Sequence, residues 1–384
     1  MSHEVVASEQ SPASAGRTRV EPPPDVFLIP ISDRAGKQVK PSDIAGELAG
    51  APRRYISTSL VPPSLASIPK HTAESAPSTN HSSIPMTHHD VAFNTIDGVT
   101  LRGWLYPSGK PGRGPAVILT PGFACVKEMF VPEVAEAFQT AGITALIYDP
   151  RCTGLSDGEP RQELDPQKQV SDYSDALTFL ATQPMVDPRQ IVFWGFSFAG
   201  MVALCAAALD KRALLVIACC PLTDYSFDGK KTKVLAKAMK DRESIVRGNA
   251  PFYLPILTEK GESVAGFGGK TDPDNYRLIQ NAFRNAPNYQ NRTTIQTYYK
   301  IAAWNPVGLV PMVAPTPCFM ITPENDEISP PADQTELLAS IVGSSRRQQH
   351  IEPGKGHMDI LAGESFFKLM QMQVDFVIST IQGV

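Results

Sequence analysis

The sequence predicts an α/β protein in which a mostly parallel β-sheet is covered by helices on both faces. From residue 116 onward, short apolar runs of strand length alternate with longer segments whose apolar residues recur at helical spacing. Such alternation is typical of a parallel sheet with helical connections. Only 19% of the residues are charged and 42% are hydrophobic, which fits a sheet that is buried on both faces.

The predicted elements begin with a hairpin, because Asp97-Gly98 separates the apolar runs 91–93 and 101–106. Parallel strands are then predicted, in chain order, at residues 116–120, 143–148, 191–194, 214–219 and 318–322, with 347–352 as a possible further strand. The helices predicted between and after these strands cover residues 133–140, 165–183, 198–209 and 364–380.

The interval between Pro221 and Pro317 interrupts this alternation. It contains helical patterns at residues 232–249, 274–285 and 294–299, together with glycine-rich turns and several aromatic residues. Open α/β sheets bind their ligands at the carboxyl ends of the strands. We therefore predict that residues 222–312 form a helical lid insertion over that edge of the sheet.

Residues 1–90 differ in composition from the remainder of the 384-residue chain. They contain twelve of the 35 prolines and fourteen serines, but only two aromatic residues, Phe27 and Tyr55. Such a segment buries too little apolar surface to offset the entropy of ordering it. We expect a poorly ordered N-terminal extension over residues 1–90 and a single domain with its insertion over residues 91–384.

The overall composition excludes several classes of function. A net charge of −4 without basic runs argues against nucleic acid as the main partner. No stretch approaches 18 consecutive apolar residues, so no membrane span is expected. The first residues lack a basic segment followed by an apolar core, so we expect no secretory signal and a cytoplasmic location.

Cysteine and histidine placement predicts neither a disulfide framework nor a metal site. The six cysteines contain no C-x-x-C pair and are expected to be buried or free thiols, Cys125 among them as a packed thiol. Five of the seven histidines lie in residues 1–90, which leaves too few for a zinc cluster in the domain. Neither G-x-G-x-x-G nor a P-loop is present, so no cofactor is expected.

Ser197 is the candidate nucleophile. It stands in Gly195-Phe196-Ser197-Phe198-Ala199-Gly200, directly after a predicted strand and directly before an alanine-rich helix. That strand–turn–helix context defines a nucleophile elbow, whose tight turn requires small residues two positions before and after the serine. The helix N-terminus also favours a developing oxyanion. The alternative is an ordinary Gly-Ser turn.

A nucleophilic serine needs a general base, and His357 is the better of two candidates. His350 falls within the last predicted strand, where the pleat fixes its side chain, so a structural role is expected. His357 follows that strand in a glycine-rich loop that can carry the imidazole to Ser197. A helix-capping histidine in this loop is the alternative.

Asp326 is the candidate acid that orients this histidine. It follows the predicted strand 318–322 and precedes His357 by 31 residues, so the chain order is serine, acid, histidine, as in the α/β-hydrolases. Glu324 and Glu327 are rivals from the same loop, and Asp224 is a rival from the loop after the preceding strand. A helix cap or a solvated loop carboxylate is the non-catalytic alternative.

Two backbone N–H groups are expected to form an oxyanion hole. Gly122 allows the turn that points the Phe123 N–H inward, and the second donor is the N–H of Phe198, next to the nucleophile. An apolar substrate pocket is also predicted from the nearby aromatic residues, which are Phe123, Phe196, Phe198, Tyr253, Tyr298, Tyr299 and Trp304.

Three segments of the sequence, which include these motifs, resemble those of a known family. They are Pro121-Gly-Phe-Ala-Cys-Val-Lys-Glu-Met-Phe130, Tyr148-Asp-Pro-Arg-Cys-Thr-Gly154-Leu-Ser-Asp-Gly-Glu-Pro-Arg-Gln-Glu163 and Trp194-Gly-Phe-Ser-Phe-Ala-Gly200. Residues 91–384 resemble the α/β-hydrolase superfamily throughout, and these segments resemble its fungal polyketide transferase and thiohydrolase family. The resemblance implies the α/β-hydrolase fold and a triad of Ser197, Asp326 and His357. Residues 1–90 depart from the compact family pattern.

The resemblance implies action on a polyketide acyl thioester or ester in secondary metabolism. We expect a serine hydrolase that works through an acyl-enzyme on a small-molecule acyl substrate, with a polyketide bound to the carrier protein of its synthase as one candidate. The alternatives are an acyltransferase that esterifies an alcohol, a general carboxylesterase, and a non-catalytic ligand-binding protein on the same fold. The triad alone does not distinguish water from an alcohol as the acceptor.

Overall fold

The computed structural model describes residues 88–268, 273–344 and 346–383. The N-terminal extension expected over residues 1–90 lies outside this described part, apart from its last three residues. Two of these, His89 and Asp90, belong to the first strand, which begins two residues earlier than the sequence pattern indicates.

Eight strands form one sheet, and two short strands pair separately within the insertion. In chain order, the strands of the described residues are β1 (His89–Asn94), β2 (Thr100–Tyr106), β3 (Gly114–Thr120), β4 (Thr144–Tyr148), β5 (Val186–Phe196), β6 (Leu215–Cys219), β7 (Tyr253–Leu254), β8 (Thr293–Thr294), β9 (Cys318–Pro323) and β10 (Arg347–Glu352). Strand β10 matches the possible further strand at 347–352, and β7 and β8 were not predicted.

The large sheet has the strand order β1-β2-β4-β3-β5-β6-β9-β10. Strands β1 and β2 form the antiparallel hairpin expected from Asp97-Gly98, and β2 also pairs antiparallel with β4. All remaining neighbours in the sheet are parallel. The prediction of a mostly parallel sheet is therefore confirmed, and the carboxyl ends of β3, β5, β6, β9 and β10 share one edge.

Eight α-helices occur in the described residues, and they cover both faces of the sheet as predicted. They are α1 (Pro132–Thr140), α2 (Pro166–Ala181), α3 (Phe198–Leu209), α4 (Lys231–Val246), α5 (Pro273–Asn285), α6 (Ile295–Ala303), α7 (Pro331–Ala339) and α8 (Ser365–Gln382). Helices α1 and α8 bury Phe138 and Phe376 in the core on one face. Helices α2, α3 and α7 bury Tyr173, Leu204 and Leu338 in the core on the other face.

Helix α7 was missed by the sequence analysis. It begins at Pro331, directly after Pro330, and two adjacent prolines suggest a loop. Proline is nevertheless well suited to the first turn of a helix, where its missing N–H needs no partner. None of the helices in the described residues combines the length and apolar composition needed to cross a membrane.

Residues 222–312 leave the sheet after β6 and contain α4, α5 and α6, in agreement with the three helical patterns at 232–249, 274–285 and 294–299. Helices α4 and α6 are joined by buried polar contacts. The Gln296 amide on α6 donates to the Asp241 carboxylate (2.7 Å) and to the Ala238 carbonyl (2.8 Å) on α4. We refer to residues 222–312 as the insertion.

Candidate active site

Ser197 lies in the turn between β5 and α3, at the carboxyl edge of the sheet. Its φ of 57° and ψ of −122° form a rarely adopted conformation that costs about 1–3 kcal/mol. An added Cβ at Gly195 would lie 2.1 Å from the Ala199 carbonyl oxygen, so only glycine fits there. The Ser197 N–H donates to the Cys219 carbonyl (2.9 Å) and the Leu222 N–H donates to the Ser197 carbonyl (3.1 Å), which hold the turn.

His357 comes from the loop after β10 and reaches the serine across the edge of the sheet. Its Nε2 is 2.7 Å from the Ser197 Oγ, and the residue is only 2% exposed. The Phe196 ring packs against the imidazole with 5.7 Å between centroids. Because Nδ1 faces a carboxylate, its proton is held there and Nε2 is left to accept the hydroxyl proton.

Asp326 follows β9 and binds the other side of the imidazole. Both carboxylate oxygens are 2.9 Å from the His357 Nδ1. The N–H groups of Ile328 and Ser329 donate to Oδ1 at 3.0 and 2.8 Å, and the Gln334 amide donates to Oδ2 at 3.1 Å. These donors fix the carboxylate, so Asp326, His357 and Ser197 form one hydrogen-bonded chain.

The side chains of the rival candidates make other contacts or are exposed to solvent. The His350 Nε2 lies 2.6 Å from the Glu352 Oε2, so this imidazole pairs with a carboxylate of its own strand, β10. Glu324 accepts a backbone N–H of the β10 loop, and Asp224 is exposed and accepts bonds from the residue two positions ahead. Glu327 is exposed. Of the candidates weighed from the sequence, only Asp326 and His357 contact one another, and only His357 contacts the serine.

The loop after β3 brings a second backbone segment to the serine. An added Cβ at Gly122 would lie 3.4 Å from the Ser197 Cβ, in close contact. The rings of Phe123 and Phe198 pack edge to face at 5.5 Å, which keeps their two segments together. Within the described residues, neither the Phe123 N–H nor the Phe198 N–H donates to a protein acceptor. Both N–H groups are thus available to an oxygen of a ligand.

A buried ion pair that the sequence analysis missed supports this loop. The Lys127 Nζ is 3.0 Å from the Asp149 Oδ2, and the Lys127 N–H donates to the Asp149 Oδ1 at 2.8 Å. Lys127 is 1% exposed and Asp149 is fully buried. Burial raises the pKa of the Asp149 carboxyl, and Lys127 opposes this. A lysine placed between the apolar residues Val126 and Met129 was the available signal in the sequence.

An apolar cleft with a cavity volume of about 110 Å³ opens beside Ser197 and His357. One wall comes from loops at the edge of the sheet and includes Phe123, Met129, Phe130 and Phe196. The other wall comes from the insertion and includes Leu222, Ile256, Leu257, Phe267, Ile279, Phe283 and Tyr289. The cleft is therefore suited to an apolar chain joined to a carbonyl at Ser197.

The prediction of pocket aromatics was only partly correct. Phe123 and Phe196 line the cleft, whereas Tyr253, Tyr299 and Trp304 do not. The Tyr253 hydroxyl donates to the Arg161 carbonyl at 2.8 Å, and Trp304 packs behind the cleft on Phe198, with 5.7 Å between ring centroids. Tyr298 and Phe198 also lie behind the cleft lining. The aromatic residues found instead are Phe130, Phe267, Phe283 and Tyr289.

A second, polar groove with a volume of about 540 Å³ meets the site at His357. Its lining includes Glu327, Asp359 and Arg277, and it runs along the loops after β9 and β10. Gly356 forms part of its floor, where an added Cβ would lie 3.2 Å from the Asn275 amide nitrogen. The imidazole therefore stands between an apolar cleft and a polar groove.

A buried thiol, Cys220, and a half-buried thiol, Cys125, lie near the site. The Cys220 Sγ lies within 4.8 Å of ligand atoms of Asp326 and His357, a set of donor types that can bind a metal. Burial raises the pKa of the Cys220 thiol well above its usual value, which disfavours the thiolate that a metal requires. Burial also raises the pKa of the Cys125 thiol to about 12. The donor set fits a hydrogen-bonded triad better than a metal centre.

The elbow, the bound histidine and acid, and the mostly parallel sheet define an α/β hydrolase. The sequence profile of the alpha/beta hydrolase family matches residues 117–368, and the chain belongs to this family. The chain is thus a member of a family of hydrolytic and acyl-transferring enzymes, as the sequence predicted.

Two curated relatives and one solved structure place the chain more closely. It is 53% identical to a thiohydrolase of Eupenicillium brefeldianum over 290 residues, which cover 75% of this chain and 93% of the relative. It is 45% identical to the polyketide transferase ATR5 of Stachybotrys chlorohalonatus, over 76% of this chain and 97% of the relative. The crystal structure of the alpha/beta hydrolase GrgF from Penicillium sp. sh18 superposes with a TM-score of 0.69 at 38% identity, covering 77% of this chain and 99% of GrgF.

Proposed function

We propose that the protein is a serine hydrolase that cleaves acyl thioesters or esters through an acyl-enzyme on Ser197. The observation that carries this proposal is the hydrogen-bonded chain from Asp326 through His357 to Ser197, with contacts of 2.9 and 2.7 Å. Each member has the role that its contacts support: Ser197 is the nucleophile, His357 is the general base and acid, and Asp326 orients and balances the imidazolium.

Acylation begins when the Ser197 Oγ forms a bond to the carbonyl carbon and its proton passes to the His357 Nε2. The carbonyl oxygen becomes an oxyanion, to which the N–H groups of Phe123 and Phe198 donate. The intermediate collapses as the carbon–sulfur or carbon–oxygen bond breaks. The imidazolium gives its proton to the leaving sulfur or oxygen, and the acyl group remains on Ser197.

Deacylation repeats these steps with a new attacking group. Water or an alcohol gives its proton to His357 while its oxygen bonds to the acyl carbon, and the proton then returns to Ser197 as the ester bond to the enzyme breaks. Hydrolysis releases an acid, and transfer releases an ester. The triad performs both reactions with the same groups.

The substrate we propose is a polyketide acyl thioester carried by its synthase. The relatives at 53% and 45% identity are named a thiohydrolase and a polyketide transferase, which supports this class of substrate. The cleft supports it too, since both of its walls are largely apolar. We also propose that the insertion serves as a lid, because it supplies one wall of the cleft and thereby excludes water from the acyl chain.

Acyl transfer to an alcohol is the second candidate function, and the polar groove at His357 favours it. An acceptor must reach both the His357 Nε2 and the acyl carbon on Ser197, and the groove beside His357 holds carboxylate, guanidinium and amide groups that can bind hydroxyls. Incubating one acyl thioester with and without a panel of alcohols distinguishes the two functions. Ester product supports transfer, and free acid with every alcohol contradicts it.

The serine assignment has a direct test. A fluorophosphonate probe is expected to label the wild-type protein, and the Ser197→Ala variant is expected to remain unlabelled because the attacking hydroxyl is absent. A Cys125→Ala variant is the matched control, since it changes a cleft residue without touching the triad, and it should label normally. Equal labelling of Ser197→Ala and wild type would contradict the proposal.

A further inference from the structure

Helix α4 of the insertion carries a row of exposed cations on a protein whose net charge is −4. Lys233, Lys237 and Lys240 follow one another at helical spacing, and Lys230 and Arg247 continue the row beyond the two ends of the helix. All five are exposed. We refer to these five residues as the basic row.

The folding of α4 does not explain the basic row. Within the described residues, only Arg247 has a carboxylate within 4.0 Å, that of Glu243 at 3.9 Å. Like charges four positions apart, such as Lys233 and Lys237, destabilise a helix slightly. The contacts that attach α4 to the domain involve a different face, where Val234 and Ala238 are buried.

Apolar side chains lie exposed on and near the same helix. Phe252 is 41% exposed, and the Lys237 Nζ stands 4.0 Å from the centre of its ring. Met239 and Val246 on α4 are 38% and 82% exposed. Phe252 lies beside the basic row, whereas Met239 and Val246 lie roughly 100° or more around the helix from it. An exposed aromatic ring beside cations suits a surface that binds another protein.

The start of α4, next to the basic row, is connected to the cleft through a short series of ring contacts. The Phe123 ring at the oxyanion loop lies 5.0 Å from the Phe267 ring, which lines the cleft, and Phe267 lies 5.3 Å from Phe227. The Lys231 Nζ at the start of α4 is 5.7 Å from the centre of the Phe227 ring. A partner bound at the start of α4 therefore lies beside residues that pack against the wall of the cleft.

We infer that α4 is the docking surface for the carrier domain that delivers the acyl thioester, through a carboxylate-rich face of that domain. This inference rests on the proposed function, because a substrate attached to a protein requires that protein to bind near the cleft. Complementary charge raises the rate of encounter and sets the orientation of the partner. The surface is thus distinct from the apolar cleft that holds the acyl chain.

An anionic membrane is the other partner that a basic helix can bind, and the structure favours it less. An interfacial helix inserts its apolar face among the lipids. The apolar face of α4 is already occupied, since Val234 and Ala238 are buried and Ala238 accepts a hydrogen bond from Gln296 of α6. The side chains of α4 that remain exposed are mostly charged, and Met239 and Val246 alone do not form an apolar face that inserts into lipid, so a protein partner is favoured.

The test compares two substrates that share one acyl group, a carrier-domain thioester and an N-acetylcysteamine thioester. In the variant Lys233→Glu/Lys237→Glu, we expect kcat/KM for the carrier-bound substrate to fall by about tenfold or more at low salt. The small thioester should be turned over within about twofold of wild type, because the cleft is unchanged. Adding about 0.3 M NaCl should slow wild type on the carrier substrate and have little effect on the variant.

The matched control reverses two exposed cations near the amino ends of strands, at the opposite edge of the sheet. The variant Arg113→Glu/Arg189→Glu makes the same change in net charge, and it should process both substrates like wild type. An equal loss in both double variants would attribute the effect to net charge and overturn the inference.

The remaining outcomes separate the docking surface from the reaction. Unchanged carrier turnover in Lys233→Glu/Lys237→Glu would overturn docking on α4 and leave the hydrolase proposal intact. Loss of turnover of both substrates would indicate a structural role for the lysines, which also overturns it. If wild type cleaves neither substrate, the proposed function itself fails. The surface would be assigned to lipid if two results were found together. Wild type, but not Lys233→Glu/Lys237→Glu, would pellet with phosphatidylserine vesicles, and the substitutions would leave turnover of the carrier substrate unchanged.

Discussion

The loops at the edge of the sheet and the insertion form two walls of the same cleft, but they are fixed in different ways. The edge loops hold Ser197, His357 and Asp326 through directed hydrogen bonds and a backbone turn that accepts only glycine at position 195. The insertion contributes apolar side chains packed on one another. Directed bonds fix reacting atoms within narrow limits, whereas apolar contacts define the shape of a pocket. From this comparison we expect the edge to determine the reaction and the insertion to determine which acyl chain is accepted.

The largest expected effect is at the edge, in Asp326→Asn. An amide can bind the imidazole in the wrong tautomer, so that Nε2 carries a proton and no longer accepts the one from Ser197. We expect kcat on an acyl thioester to fall by about 10³–10⁴-fold with little change in the melting temperature. Steady-state kinetics and thermal melting measure the two quantities.

Asp224→Asn is the control for this variant. Asp224 was a rival acid in the sequence, is exposed, and bonds only within its own turn. Its activity should stay within about twofold of wild type, since surface substitutions rarely disturb a distant site. If Asp224→Asn lost more activity than Asp326→Asn, the acid would be misassigned.

An intermediate effect is expected in the insertion wall, in Ile256→Trp. Ile256 is buried and lines the cleft, so a larger side chain shortens the space for the acyl group. We expect KM for a long acyl thioester to rise by about tenfold, whereas kcat for an acetyl thioester changes little. Kinetics on a series of chain lengths measures this selectivity.

Val307→Trp is the matched control, because Val307 is also in the insertion but is 48% exposed and does not line the cleft. It should leave the chain-length profile unchanged. An equal fall in kcat for all chain lengths in Ile256→Trp would show that this wall affects the reaction itself, and the division between the two walls would be wrong.

The smallest effect is on stability and involves Glu352, which precedes the loop of His357. Burial raises the pKa of the Glu352 carboxyl, but hydrogen bonds from Lys368 and His350 outweigh it and lower the pKa to about 2. A carboxyl with a lowered pKa stabilises the fold above its unfolded pKa of about 4.5, and the stabilisation is lost as the pH falls toward 2. We expect about 2 kcal/mol of unfolding free energy to depend on pH in this window.

Denaturant unfolding at several pH values measures that dependence. Glu352→Gln should remove much of the slope between about pH 4.5 and 2. Glu364→Gln, which changes an exposed carboxyl at the start of α8, should retain it. If the unfolding free energy depended on pH equally in wild type and Glu352→Gln, the contacts of the Glu352 carboxylate would not be the source of this stabilisation.

The sequence predicted the edge of the sheet better than the insertion, and the reason is physical. The Ser197 turn depends on residues next to it in the chain, so a local pattern revealed it. His357 and Asp326 were identified because each follows a strand whose carboxyl end lies at a common edge. Within the insertion the three helices were predicted, but Tyr253 and Trp304 were expected in the cleft in error. Which side of a helix faces a cleft depends on long-range packing that periodicity does not encode.

Two structural features that support the site could not be predicted from the sequence either. The ion pair of Lys127 and Asp149 joins residues 22 positions apart, and neither belongs to a motif that implies the other. Helix α7 supplies Gln334 to the Asp326 carboxylate, but its two starting prolines concealed it. Both features depend on tertiary contacts that form only when the chain has folded.

The central claim is that Ser197 carries the acyl group during the reaction. The most direct measurement is mass spectrometry of the protein quenched in acid during turnover of an acyl thioester, followed by peptide mapping. The account predicts the added mass of the acyl group on the peptide containing Ser197, and none in Ser197→Ala. An acyl group found on another residue such as Cys125, or the same adduct in Ser197→Ala, would contradict it.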